Sequence, residues 1–332
     1  MSPEAQALAL VEAARAGDGR AAARLLRHVE DETEVGLAAW RRLFKEAGRA
    51  WVVGITGPPG VGKSTLIGRL ARAYREQGLK VGVLAVDPTS PLTGGALLGD
   101  RIRMQELASD PGVYIRSLAT RGAVGGVARA AGRLVTVLDA LGYGIILLET
   151  VGAGQDEVEV AAIAGTTVLV LMPGQGDEIQ ALKAGLVEIA DIIVVNKADR
   201  EGADQLAAQL RSVLRLGTAR PDGGEWTPPV IKTVAADGTG IGELLSAVEA
   251  HRAFLSRTGR ETERRRAALR KAIWREAESL LLRRLGRDPA AAAEFEGLVR
   301  RVEAGELDPI SAAAALLERL AAPVPTPPNP DP

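Results

Sequence analysis

Residues 57–64 read "GPPGVGKS", and this octet limits what the chain can fold into more than any other stretch. It satisfies G-x-x-x-x-G-K-[S/T], the pattern of a phosphate-binding loop. "WVVGIT" (51–56) precedes it with the apolar, β-branched texture of a buried strand, and "TLIGRLARAYREQ" (65–77) follows with apolar residues at helical spacing. Glycines let the backbone curl so that N–H groups point at an anion, and the helix N-terminus adds positive potential. Gly57, Pro58, Pro59, Gly60, Val61, Gly62, Lys63, Ser64 and Thr65 are therefore candidate nucleotide-binding residues. Lys63 should reach the β- and γ-phosphates, and the Ser64 hydroxyl should bind Mg²⁺.

The same alternation continues along the chain. "KVGVLAV" (80–86), "GIILLET" (144–150), "TTVLVLM" (166–172), "DIIVVN" (191–196) and "PPVIKTV" (228–234) are short apolar runs, and "VYIRSLA" (113–119) adds another. Between them lie amphipathic stretches at 125–141 and 204–216. Near-continuous apolar strands separated by helices indicate an α/β fold, a mostly parallel sheet covered by helices on both faces. Flanking it are an N-terminal helical segment (1–49) and a C-terminal one (257–321), around a nucleotide-binding domain at 50–256. The tail 322–332, "APVPTPPNPDP", is Pro-rich and expected to be disordered. Residues 257–271 hold seven basic and two acidic residues and read as a solvated helix face.

"NKAD" (196–199) directly follows the run "DIIVV". An N-K-x-D at a strand end suits guanine. Asp199 can accept from guanine N1–H and the 2-amino group, Asn196 can serve the 6-oxo and N7 edge, and the Lys197 stem can cover base and sugar. Adenine would face the Asp199 carboxylate with an acceptor and leave a charge unpaired. Asp199 could also cap a helix starting near Arg200. "TVA" (233–235) ends the next strand, where Val234 and Ala235 can offer a backbone N–H to the guanine oxygen. The substrate and product expected are thus GTP and GDP.

Asp87, Asp100 and Glu149 are candidate metal-site carboxylates. Mg²⁺ takes few direct carboxylates and keeps waters, so not all three can ligate it at once. Asp87 could instead be a turn residue before Pro88, Asp100 a helix cap and Glu149 a strand-end charge. Gly152 can donate its N–H to the γ-phosphate, but Ala153, the residue after it, cannot orient water. Gln155 could do so only after a rearrangement. Lys63, Glu149 and Gly152 form the expected catalytic set, with slow intrinsic hydrolysis. The turn-rich segments 88–99 and 173–185 are candidate switches.

"GITGPPGVGKSTL", "VDPTSPLTGGALLGDRIRM", "ETVGAGQDE" and "NKAD" together resemble the methylmalonyl-CoA mutase-associated GTPases (MeaB or ArgK type, SIMIBI class). The resemblance spans roughly residues 20–255. It implies a P-loop GTPase fold and a chaperone that couples GTP hydrolysis to cofactor loading and protection of an adenosylcobalamin-dependent acyl-CoA mutase. It also implies Asp87, Asp100 and Glu149 around Mg²⁺, partner contacts at Asp177 and Lys183, and a homodimer through the C-terminal helices. Thr89 and Ala96 stand where the family often has Ser, and Ala153 where it often has Val.

Composition removes several rivals. Lys plus Arg is 41 against 42 Asp plus Glu, so no global charge draws nucleic acid or an acidic membrane. With no Cys, and only His28 and His251, a nickel-delivery GTPase lacks its ligands. Three Met are too few for a signal-recognition GTPase, and Pro58 stands where a partitioning ATPase would carry Lys. A transport-associated kinase stays open. No secretory signal or membrane span is read, and a cytoplasmic location is expected.

Overall fold

Central strand β1 (Trp51–Thr56) lies in a seven-stranded sheet with β2 (Val81–Asp87), β3 (Val113–Ala119), β4 (Ile145–Glu149), β5 (Thr166–Leu171), β6 (Ile192–Asn196) and β7 (Val230–Thr233). The spatial order is β3-β2-β4-β1-β5-β6-β7, and every neighbouring pair is parallel. This computed structural model describes residues 1–87, 107, 109–119, 126–150, 162–174, 185–216, 226–287 and 289–321. Asp100, Gly152, Ala153, Gln155, Asp177, Lys183 and the Pro-rich tail lie outside the described residues, as does the Asp87 side chain.

Parallel strands need crossovers, and among the described residues α4 (Lys63–Glu76), α5 (Gly126–Ala140), α6 (Leu186–Ile189) and α7 (Ala203–Leu216) lie in them, while α1 (Pro3–Arg15), α2 (Gly19–Glu30) and α3 (Glu34–Phe44) precede β1 and α8 (Ile241–Arg257) follows β7. Alternate strand residues face opposite layers. Val53, Ile55 and Leu147 pack on one face with Leu66, Ile67 and Leu70 of α4 and Leu244 and Val248 of α8. Val52, Ile146 and Leu148 pack on the other with Leu134 and Leu138 of α5 and the N-terminal helices. A third cluster sets Leu206 and Leu210 of α7 on Leu169, Leu171, Ile193 and Val195. With both faces covered, the inner strands β1, β4, β5 and β6 are buried along their length, which is why the sequence shows apolar runs there rather than alternation.

The N-terminal helices are punctuated by their caps. Asp18 accepts from the amides of Arg20 and Ala21 at 2.8 and 3.1 Å to open α2, and Thr33 accepts from Gly36 N at 3.1 Å to open α3. A Cβ at Gly36 would fall on the His28 carbonyl, so the α2–α3 corner requires glycine there. Asp139, late in α5, accepts from Arg49 N at 3.1 Å, Ala50 N at 3.0 Å and Gly48 N, fixing the chain as it enters β1.

The chain divides into two compact units, Met1–Ala268 and Leu269–Pro332. α9 (Arg260–Arg287) begins in the first and continues into the second, which also holds α10 (Pro289–Glu303) and α11 (Pro309–Ala321). Within the second unit, Asp308 caps α11 through Ile310 N and Ser311 N, and Arg319 pairs with Glu294 at 3.0 Å.

Candidate active site

β1 is where the sheet order turns around, with β4 on one side and β5 on the other. In open parallel sheets such a point, at the carboxyl ends of the strands, forms a crevice. The loop 57–62 fills it. Gly57 has φ 141°, Gly60 80° and Gly62 96°, all in the region that side chains disfavour. A Cβ at Gly57 would land on the Val170 carbonyl of β5, and one at Gly62 would come within 2.5 Å of Asn196 Nδ2. The glycines therefore answer both to backbone conformation and to close packing against the neighbouring strand ends. Lys63 opens α4 and is buried, and its Nζ donates to Gly57 O at 2.7 Å and Pro58 O at 3.0 Å.

Ser64 Oγ donates to Glu149 Oε1 at 2.8 Å, and both residues are buried. Position 64 comes from the first turn of α4 and position 149 from the end of β4, the strand paired with β1 at Ile55↔Glu149. A hydroxyl and a carboxylate in contact are a hard-oxygen donor pair, the chemistry Mg²⁺ prefers. Among the described residues no group of three or more His, Cys, Asp or Glu could hold a metal by itself. Beside Glu149, Thr150 Oγ1 donates to Thr56 Oγ1 at 2.9 Å and closes the strand ends.

The base-side residues are locked to the phosphate loop. Asn196, buried at the end of β6, donates from Nδ2 to Val61 O at 2.7 Å. Its Oδ1 accepts from Thr233 Oγ1 and from Ala235 N, each at 3.0 Å. Lys197 has φ 55°, a strained value for a non-glycine, and donates Nζ to Gly60 O at 2.7 Å. Asp199 is exposed in the turn that follows, and α7 starts only at Ala203. Its carboxylate is therefore spared from capping that helix and free to face a ligand. Val234 N donates to Thr239 O at 3.0 Å, so the two amides expected to meet the guanine oxygen are both engaged inside the protein here. Thr233 stands in the stretch "TVA", but the sequence points only to backbone amides there and gives its side chain no role. Its role depends on a side-chain contact across two strands, and its one visible signal was its place at the end of an apolar run.

A parallel sheet with a phosphate loop at its turning point, a Ser–Glu oxygen pair and an N-K-x-D turn clamped to that loop define a P-loop GTPase. Residues 4–290 match the family described as methylmalonyl Co-A mutase-associated GTPase MeaB. A Mycobacterium tuberculosis protein named "Probable GTPase" is 43% identical over 316 residues, covering 93% of this chain and 94% of that one. The mouse "Methylmalonic aciduria type A homolog, mitochondrial" is 37% identical over 269 residues, covering 80% of this chain and 64% of that one. Among solved structures, that of a "LAO/AO transport system kinase" superposes with a TM-score of 0.72 at 25% identity, covering 97% of this chain and all of that one. The chain belongs to the MeaB family and is a GTPase. No helix of the described residues is long and apolar enough to cross a membrane.

Proposed function

We propose that this GTPase is a chaperone for an adenosylcobalamin-dependent acyl-CoA mutase of the methylmalonyl-CoA mutase type, gating cofactor loading and protecting or reactivating the mutase. The observation that carries this reading is the family match over residues 4–290, a family described by its association with that mutase. The mouse relative's name points the same way.

In this reading GTP lies with its phosphates against loop 57–65 and its base against 196–199 and 234–236. Lys63 exchanges its bonds to the Gly57 and Pro58 carbonyls for β- and γ-phosphate oxygens. Ser64 and Glu149 would hold Mg²⁺, with Asp87 and Asp100 as the further candidate carboxylates, and the cation would neutralise charge that develops on the phosphates. Gly152 N–H steadies the γ-phosphate while water attacks phosphorus and GDP leaves. Ala153 offers nothing to orient that water, so intrinsic turnover is slow and the mutase supplies the missing order through switches that include Asp177 and Lys183.

The second unit supports a homodimer. Ile273 and Leu280 are 69% and 60% exposed and stand two turns apart on α9, as do Trp274 at 72% and Leu281. An exposed apolar stripe of this kind marks an interaction face. Sedimentation equilibrium should give a dimer for the native chain and a monomer for Ile273→Glu/Trp274→Glu; a variant that stays dimeric would place the contact elsewhere.

A second reading, a transport-associated kinase, is favoured by the name of the matching solved protein. Immobilised chain with Mg²⁺ and a non-hydrolysable GTP analogue separates the two. It should retain a purified acyl-CoA mutase and not a periplasmic substrate-binding protein. The opposite retention would move the assignment to transport.

A further inference from the structure

The helix that opens at Lys63 also reaches the base end of the site. Arg69, less than two turns along α4 and partly buried, donates Nε to Ala235 O at 3.1 Å and a terminal nitrogen to Ala236 O. Phosphate binding gives no reason for an arginine there. Within the turn it holds, Val234 N donates to Thr239 O, Ala235 N to Asn196 Oδ1, Asp237 N and Gly238 N to Val234 O, and Thr239 N to Asp237 Oδ1. None of these bonds engages the amide of Ala236, an exposed residue. The Ala235 carbonyl and the Ala236 N–H belong to one planar trans peptide and point in opposite directions. A guanidinium fastened to that carbonyl therefore fixes where the N–H points.

We propose that Arg69 is a positioning residue for guanine recognition: it orients the 235–236 peptide so that Ala236 N–H meets the 6-oxo group of the base. The donor shifts one residue beyond the Val234 and Ala235 amides, which are spent internally. This rests on the guanine reading of residues 196–199.

Calorimetric titration of Arg69→Met, which keeps the aliphatic stem, and Arg69→Lys, which keeps a charged donor, tests it. The ligands are GDP, IDP, 2-aminopurine riboside diphosphate and tripolyphosphate, each with Mg²⁺. GDP and IDP both carry the 6-oxo group and should weaken by the same factor in Arg69→Met, roughly tenfold. The 2-aminopurine nucleotide and tripolyphosphate lack that group and should bind as to the native chain. Arg69→Lys should recover part of the loss. KM for GTP should rise while kcat at saturation holds. Equal weakening of tripolyphosphate would show a merely structural arginine and overturn the proposal, as would unchanged GDP affinity. If the native chain itself binds ADP as tightly as GDP, the guanine reading fails instead, and the two failures are distinct.

Discussion

Asn196 shows how one side chain can assemble a site. Its amide nitrogen holds the phosphate loop at Val61, and its oxygen holds Thr233 and Ala235 of the next strand end. Three segments far apart in sequence are thereby set in register. Asp199, three residues on, is exposed, and the proposed reading assigns it to the base. Asp199→Asn should weaken GDP by roughly a hundredfold while leaving ADP binding unchanged, because the carboxylate's two acceptors for guanine N1–H and the 2-amino group are replaced by one acceptor and one donor. Competition titration with GDP and ADP checks this, and equal affinity of native and variant chains for GDP would remove Asp199 from the base site.

At the level of elements, the strand–loop–helix unit around β1 fixes the site. Gly57 cannot carry a side chain: its φ is 141°, and a Cβ would meet the Val170 carbonyl. Gly57→Ala should cost about 2 kcal/mol of stability and abolish nucleotide protection, read by thermal unfolding with and without GDP. Sequence exposed this level well. Apolar β-branched runs mark strands buried on both faces, and the octet 57–64 marks the loop. It also placed Lys63, Ser64, Glu149 and Asn196 at strand or helix ends that do converge. What it could not show was which distant residues meet. The Asn196–Val61 clamp, the reach of Arg69 to a turn 166 residues away and the hold of Asp139 on the entry to β1 are side-chain contacts. Neither spacing nor periodicity encodes them, because each depends on the strand order. The double engagement of the Val234 and Ala235 amides was hidden for the same reason.

Across the whole molecule, the strand ends opposite the nucleotide loop carry a buried polar network. Asp191, 2% exposed, accepts from Arg264 at 2.8 and 3.0 Å and from Thr167 N at 2.9 Å, and His251 Nε2 lies 3.4 Å away. Trp51 Nε1 donates to Thr166 Oγ1, which also meets His251 Nδ1 at 2.9 Å. The network ties the start of α9 to β5 and β6. Burial alone would raise the Asp191 carboxyl, but the Arg264 hydrogen bonds, the His251 charge and the Thr167 amide outweigh it and hold it below 3.8. Its stabilising contribution is therefore fully present above pH 3.8 and is lost as pH falls through the lower folded value. Arg264→Ala should destabilise the chain by about 2 kcal/mol at neutral pH, discounted because Arg264 is partly exposed. Urea unfolding should show that gap narrowing as the pH drops below about 4, where the carboxylate is protonated in the unfolded chain; a gap independent of pH would mean that the arginine matters for packing alone.

In the proposed function the acyl-CoA mutase supplies the order that Ala153, the residue after Gly152, cannot give the attacking water. The most direct measurement is steady-state GTP turnover by the full chain, alone and with saturating purified acyl-CoA mutase. Phosphate release by the chain alone should be slow, and the cognate mutase should accelerate it by at least about tenfold, with adenosylcobalamin loading tracking the hydrolysis. Turnover that is fast without a partner, or indifferent to every acyl-CoA mutase offered, would contradict the proposed chaperone role.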